Sequence, residues 1–448
     1  MSGELVLRGA TVLTLDAQAR VERDADVVVG DGRITGIGPG AAAKAGRASE
    51  VLDVEGDYVL PGLVQGHVHL GQTFFRGLAE RRRLLAWLRE RIWPLEAAHD
   101  DESAYWCGRL GAAECLLSGT TTVQDIGLGP GAAGLLQAIA DSGLRAVAGM
   151  CLMDAGDGLP AGLAQEAGRA LAATEELGRR FDGAAAGRLR YGLNPRFILS
   201  CSDELWHGVR ELAARHGWPV HTHALEQQEE TAAVRALKGG RDEIEYFAEA
   251  GILDSDLRIA HGVWLEDRHL PGLAERRCSV VHCPSSNLKL GSGMLDVVRL
   301  RAAGIAVGVG ADGAPCNNEL DGFAELRLAA LLQQARHGPQ AWSGLDALRL
   351  ATSEGACALR LENEVGSLEP GKRADLVVLD GSRLELFAAA AVDPHDLVAY
   401  GGSRAAVKHV VVDGEVVVRD GRLRGGLAEV RRRSQASLTA LLRRARLG

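Results

Sequence analysis

Two histidines one residue apart close an apolar run at Pro61-Gly62-Leu63-Val64-Gln65-Gly66-His67-Val68-His69. On a strand, the side-chain period of two turns both imidazoles to one side, where they can bind a single divalent ion. His-x-His alone is a weak sign of a metal, and its weight depends on ligands supplied elsewhere. They are supplied. His221-Thr222-His223-Ala224-Leu225-Glu226, Ala260-His261-Gly262, Val281-His282-Cys283-Pro284 and Gly310-Ala311-Asp312-Gly313 all stand at the ends of β-rich runs. A single histidine is more often a satisfied core residue than a ligand. Four runs ending in histidine, and a fifth ending in aspartate, are hard to explain by packing.

The elements that must position these groups alternate strand and helix, the pattern of parallel βα units. Eight strands are expected at Leu63–Gly66, Thr120–Gln124, Arg145–Met150, Leu189–Leu193, Pro219–Thr222, Leu257–Ala260, Ser279–Val281 and Ile305–Gly310. Helices are expected between them, among others at Tyr105–Leu117, Asp203–His216 and Gly322–Gln334. The expectation is an α/β fold, a closed (β/α)8 TIM barrel over residues 61–365, whose sites gather at the C-terminal ends of the strands. A doubly wound open sheet is the alternative. Its dinucleotide fingerprint is missing, because Gly127-Leu128-Gly129-Pro130-Gly131 lacks the spacing and Pro130 removes an N–H.

Short β-rich runs also fill residues 1–60 and 366–424, with Asp31-Gly32 and Asp413-Gly414 as hairpin signals. They are read as one small β-sandwich domain built from both chain ends. A helix is expected over 425–448. Its Arg431, Arg432, Arg433, Arg443, Arg444 and Arg446 suit a solvated face or a neighbouring subunit better than nucleic acid.

The chain has 448 residues, of which 46% are hydrophobic, enough for a large core. A net charge of −9 speaks against a general nucleic-acid binder. The eight cysteines form no Cys-x-x-Cys pair, so neither a disulfide framework nor a thiolate zinc site is indicated. No signal-peptide pattern and no membrane-length apolar run is found. The expected address is the cytoplasm, with no membrane and no nucleic acid as partner.

From about Leu5 to Gly421 the chain resembles the amidohydrolase superfamily, in the branch that holds adenosine-type deaminases and triazine hydrolases. The resemblance rests on Pro61-Gly62-Leu63-Val64 leading into His67-Val68-His69, on His223-Ala224-Leu225-Glu226, and on His261-Gly262-Val263-Trp264-Leu265. It also rests on His282-Cys283-Pro284-Ser285-Ser286-Asn287-Leu288-Lys289-Leu290, on Asp312-Gly313-Ala314 and on the closing 366–375 segment. It implies that His67, His69, His223 and Asp312 bind one ion per chain, Zn²⁺ first and Fe²⁺ as the alternative. It implies that Glu226 carries a proton from the attacking water to the ring nitrogen, that Asp312 passes the remaining proton to departing ammonia, and that His261 polarises the attacking oxygen. Many superfamily members bridge two metals with a carboxylated lysine. None of the eight strand ends carries a lysine, and Lys289 lies in the loop after strand seven, as in the single-metal branch.

The stretch from Gly71 to Glu96, with Trp87-Leu88 and Ile92-Trp93-Pro94-Leu95-Glu96, resembles the segment that closes the site in deaminases of S-adenosylhomocysteine, methylthioadenosine and 5′-deoxyadenosine. The resemblance implies that Glu96 accepts both ribose hydroxyls, with Trp93, His282 and Asn287 as further substrate contacts. Cys316-Asn317-Asn318 is expected at the rim. One departure is Asn194-Pro195-Arg196-Phe197, which is similar to the guanine deaminases, and Arg196 reads as an unneutralised donor better suited to a carbonyl oxygen. The expected reaction is hydrolytic deamination of an adenine nucleoside, with water and the small-molecule substrate as partners and a homodimer or homotetramer as the assembly the family often forms. Deamination of a guanine-type base, or hydrolysis of an s-triazine or cyclic amide, is the alternative. A non-catalytic scaffold is disfavoured by the intact set of ligands and Glu226.

Overall fold

The computed structural model describes residues 4–44, 50–389 and 391–446. They form two compact units. One gathers Met1–Gln65, Ala113–Thr122 and Asp321–Gly426, and the other Gly66–Ala112, Val123–Leu320 and Leu427–Gly448.

The first unit is built on a nine-stranded mixed sheet drawn from both ends of the chain. Leu5–Leu13 pairs antiparallel with Val21–Gly30 and parallel with Glu50–Asp53 and Tyr58–Pro61. Tyr58–Pro61 in turn pairs antiparallel with Leu376–Leu379, so the two termini share one ladder. Leu5, Leu7, Val27, Val29, Leu376 and Val378 are buried together, spaced by two along each strand as a one-faced core requires. Both expected hairpins form. Asp31 and Gly32 have φ of 50° and 75°, and Asp413 and Gly414 have 53° and 82°. Two successive positive φ values make the twist-compatible two-residue turn that Asp-Gly favours.

The second sheet is parallel and has eight strands in its main order: β1 (Leu63–His69), β2 (Thr120–Asp125), β3 (Arg145–Ala148), β4 (Leu189–Tyr191), β5 (Val220–Ala224), β6 (Leu257–His261), β7 (Ser279–His282) and β8 (Ala306–Val309). Every residue of β1, β2, β6 and β7 is buried, as expected for parallel strands covered on both faces. The order is β4-β3-β2-β1-β8-β7-β6-β5, so the first and eighth strands are neighbours. Just past β8, Asp312–Gly313 pairs with β1 at Val68 and His69. Beyond β4, the Leu193 N–H donates to Pro219 O at 2.8 Å, and the His221 N–H to Leu193 O at 2.9 Å.

The helices lie where the sequence places them. The helix Asp203–His216 opens on Ser202, whose hydroxyl accepts the Leu205 N–H, and stops at Gly217 with φ 70°. The C-terminal helix Ala428–Arg444 is not just a solvated face. Leu441 is fully buried, Ser434 Oγ donates to Trp106 O at 3.1 Å, and Arg444 donates to Ala98 O at 2.8 Å and Ser103 Oγ at 3.0 Å. No described helix is long and apolar enough to cross a membrane.

Candidate active site

β1 delivers His67 and His69 to one side, and Asp312 comes to meet them because its short strand pairs with the end of β1. Asp312 Oδ1 lies 3.2 Å from Nε2 of both rings. β5 adds His223, whose Nε2 is 3.2 Å from that of His69. Ligand atoms of His67, His223, His261 and Asp312 all fall within 4.8 Å of one another, as a single ion needs.

The far side of each ring decides which nitrogen is free. His223 Nδ1 is 2.7 Å from Arg196 O, and a carbonyl can only accept, so the Nδ1 carries the proton and Nε2 keeps its lone pair. His261 Nδ1 donates to Asn287 Oδ1 at 2.9 Å with the same result. For His67 a second ring sets the tautomer. His221 Nδ1 donates to Arg258 O at 3.1 Å, leaving its Nε2 to accept from His67 Nδ1 at 2.8 Å, so the His67 lone pair faces the cluster. Its Nε2 has no hydrogen-bond partner among the described residues. Such outer partners orient metal-binding imidazoles. His69 differs from the expected ligand pattern: Gln72 Nε2 approaches its Nδ1 at 3.0 Å as a donor, which puts the ring proton on Nε2, toward Asp312.

Burial pushes the His67 pKa down to about 4 and moves His69 and His223 the same way, so these rings stay neutral. Burial alone would raise the Asp312 carboxyl, but its contacts with His67 and His69 prevail and hold it well below the usual range. Ser286 Oγ and Cys316 Sγ also donate to its Oδ2, at 2.6 and 3.1 Å. Cys316 is therefore fully buried against Asp312 rather than at the rim. The neutral imidazoles and the ionised carboxylate fit a divalent ion.

Glu226 stands apart from that cluster. It is 2% exposed, with Oε2 3.5 Å from His261 Nε2, while Oε1 accepts from Ser292 Oγ at 3.1 Å. Burial raises its pKa. The backbone here is strained: Leu225, His261 and Asp312 have φ of 54°, 72° and 62°, in the region that non-glycine residues avoid. Such conformations cost on the order of 1–3 kcal/mol each and cluster at functional sites. They aim His261 and Asp312 inward where a regular strand would have alternated them.

A cavity of about 20 Å³, room for roughly one water, sits over the cluster. His69, Arg196, His223, Glu226, Glu230, His261 and Asp312 are its polar lining, covered by Leu84, Trp87, Leu88, Phe197 and Leu290. Of the expected substrate contacts, Arg196 reaches this lining, whereas Glu96, Trp93, His282 and Asn287 lie outside it. His282 is fully buried, and burial lowers its pKa to about 3. Trp93 borders a neighbouring cavity. Arg196 is not the unneutralised donor expected from the sequence: its Nη1 pairs with Glu96 Oε2 at 2.7 Å, and Gln72 Nε2 donates to Glu96 Oε1 at 2.8 Å. Lys289 is held on the loops by Glu80 and Pro315 O, at 2.9 and 3.1 Å. Sequence reasoning passed over His221 as an orienting group, although its spacing of two from His223 was the same signal that singled out His67 and His69.

The amidohydrolase family model matches residues 58–417. A 5-methylthioadenosine/S-adenosylhomocysteine deaminase of Pelotomaculum thermopropionicum is 35% identical over 92% of this chain and 93% of its own length. A 5′-deoxyadenosine deaminase of Methanopyrus kandleri is 37% identical over 82% and 83%. Among solved structures, an adenosine deaminase from Xanthomonas campestris with bound zinc matches with a TM-score of 0.88 at 30% identity, covering 97% of this chain and 98% of that one. An atrazine chlorohydrolase from Arthrobacter aurescens complexed with zinc matches at 0.85 and 25%, over 98% and 100%. The chain belongs to the amidohydrolase family.

Proposed function

We propose that the chain is a metal-dependent aminohydrolase that deaminates an adenine nucleoside of the 5′-deoxyadenosine, methylthioadenosine or S-adenosylhomocysteine type, giving the inosine analogue and ammonia. The observation that carries this is a buried acid, Glu226, set 3.5 Å from His261 in a cavity whose polar walls also include the nitrogen and carboxylate cluster, Arg196 and Glu230. The named activities of the relatives supply the substrate class.

His67, His69, His223 and Asp312 would hold one ion, Zn²⁺ or alternatively Fe²⁺, the His69 ring proton moving from Nε2 to Nδ1 and the Gln72 amide turning its oxygen, which has no partner among the described residues, to accept it. Bound there, the ion supplies Lewis acidity that makes water nucleophilic near neutral pH. Glu226 takes a proton from that water and delivers it to the ring nitrogen beside the carbon under attack, and its raised pKa suits it to hold the proton in between. His261, fixed by Asn287, hydrogen-bonds the attacking oxygen. Asp312 takes the remaining oxygen proton and passes it to the departing amine. The oxygen ends on the ring carbon and the nitrogen leaves as ammonia.

Glu96 is assigned to the ribose hydroxyls, with Arg196 as its neutralising partner, and Trp93, His282 and Asn287 are assigned as further substrate contacts. Glu96→Ala is then expected to weaken nucleosides far more than free bases, and equal losses would remove Glu96 from ribose recognition. Ammonia release by the zinc-loaded protein from 5′-deoxyadenosine, methylthioadenosine, S-adenosylhomocysteine, adenosine and guanine tests the whole reading. Guanine-type bases are the second reading, favoured by Arg196 in the cavity lining, and activity on guanine alone would establish it.

The eight-stranded sheet is read as a closed barrel over 61–365. The adjacency of β1 and β8 and the backbone bonds of Leu193 to the β5 strand support that reading. Residues 1–60 and 366–424 are assigned to a small β-sandwich and 425–448 to a C-terminal helix. A cytoplasmic address is assigned, in keeping with cysteines that form no disulfide among the described residues. The partners are the substrate and water, with a homodimer or homotetramer as the assembly.

A further inference from the structure

The cavity over the cluster has room for about one water, whereas a pocket that encloses a small-molecule ligand measures about 300–1,000 Å³. Room of that size exists next door. The segment Leu84–Glu96 is a partition made of a helical turn, a π-helical turn at Leu88–Ile92 and a second helical turn. Its Leu84, Trp87 and Leu88 cover the cluster, while its Leu85, Arg89 and Trp93 line a second, open-mouthed cavity of about 690 Å³. Phe197, from the loop after β4, lines both. The outer wall adds Leu199, Ala236 and Leu237, and Leu237 is 59% exposed.

The charged groups of this second cavity are matched in pairs. Arg89 Nη2 lies 3.4 Å from Asp157 Oδ2, and Lys238 pairs with Asp203, which also accepts from the Tyr246 hydroxyl at 2.7 Å. The Trp93 indole is 3% exposed, and its enclosed Nε1–H has no hydrogen-bond partner among the described residues. The walls are thus apolar, the mouth carries no net charge, and one enclosed donor lies at the partition.

We infer that this larger cavity, joined to the catalytic one when the partition yields, seats the 5′ substituent of the substrate, and that the substituent is an uncharged aliphatic or thioether chain. The inference rests on the adenine-nucleoside reading above. Each methylene buried against Leu85, Leu199 and Leu237 is worth at most about a fourfold gain in binding. An anionic substituent has to break an existing ion pair or lie beside Asp157 and Asp203. The Trp93 N–H serves a sulfur or oxygen acceptor at the start of the chain.

The test is kcat/KM of the zinc-loaded protein for 5′-deoxyadenosine, 5′-methylthioadenosine, 5′-butylthioadenosine and adenosine 5′-monophosphate. Expected are a rise of at least about tenfold from the first to the third, and a monophosphate at least about tenfold poorer than methylthioadenosine. Ala236→Trp, on an exposed position of the helix Gln228–Leu237, fills the cavity from outside the catalytic set. It is expected to cut the ratio of butylthio to deoxy substrate by about tenfold, with circular dichroism checking the fold. Deamination of 5′-deoxyadenosine with a flat or falling series, or a ratio that Ala236→Trp moves by less than twofold, overturns the inference and leaves the deaminase reading standing. Deamination of no adenine nucleoside overturns both.

Discussion

The ligand end of the site and the cover over it are built by opposite means. At the ligand end every group stands on or just past a parallel strand, and each imidazole is turned by an identified partner: His221, Gln72, Arg196 O or Asn287. The cover rests on three short helical turns, one of them π, and presents leucine and tryptophan side chains with little polar fixing. Strands with buried faces on both sides tolerate no slip, so the ligand end is rigid before any ion or substrate arrives. A cover that must let a nucleoside in cannot be fixed in the same way, and low local stability is what such an element needs. Chemistry is placed on the sheet and admission on the turns.

The buried ionic contact between cover and base, Glu96 with Arg196, should show the largest effect when broken. Glu96 belongs to the last helical turn of the cover, and Arg196 lies beyond β4, both with side chains under 5% exposed. Glu96→Ala leaves the guanidinium buried without its partner, and such losses run to about 3–5 kcal/mol. Glu96→Ala/Arg196→Met, which removes both charges, is expected to recover most of that. Denaturant unfolding of the two variants measures it. If the single variant is as stable as the parent, the cover is not anchored through this pair.

Next comes the chemistry itself. Glu226→Gln keeps the shape and the acceptor for Ser292 but cannot carry a proton, so activity is expected to fall at least about a hundredfold while metal content per chain stays unchanged. Retained activity would remove Glu226 from the mechanism. Asn287→Ala tests the orienting partners: His261 loses its Nδ1 acceptor, and a loss of about 10–100-fold in kcat/KM is expected. A comparable change at Leu88, an apolar side chain in the cover of the cavity, should act mainly on KM. If both act alike, the division between a fixed base and a yielding cover fails.

How far the sequence shows these two ends differs for the same reason. His67-Val68-His69, the histidines at the ends of β5, β6 and β7, and the two Asp-Gly hairpins are local patterns with fixed periods, and the structure places them as read. The Glu96–Arg196 pair spans 100 positions, and no local period announces it. The left-handed backbone at Leu225, His261 and Asp312 is equally hidden, because those residue types do not ask for it. The π turn at Leu88–Ile92 is hidden too, since an apolar helical pattern does not reveal which turn widens. What strands impose by alternation is legible, and what tertiary contacts impose on short helices is not.

The smallest effect expected is at Ser292. Its hydroxyl accepts from Gln227 Nε2 at 3.1 Å and donates to Glu226 Oε1 at 3.1 Å. That donation favours the ionised carboxylate and works against the burial that raises the Glu226 pKa. Ser292→Ala removes it, so the Glu226 pKa rises further. In the proposed mechanism Glu226 begins deprotonated to accept the proton of water, and the acidic limb of the kcat/KM profile reports that ionisation in the free enzyme. The limb is therefore expected to move to higher pH, with a rate at its plateau within about tenfold of the parent, the upper scale of one ordinary hydrogen bond. A limb that stays in place, with kcat/KM lowered equally at every pH, would mean that Ser292 merely packs against Glu226. The proposed proton carrier would then owe its tuning to burial and to the charges of His261, Asp312 and Arg196.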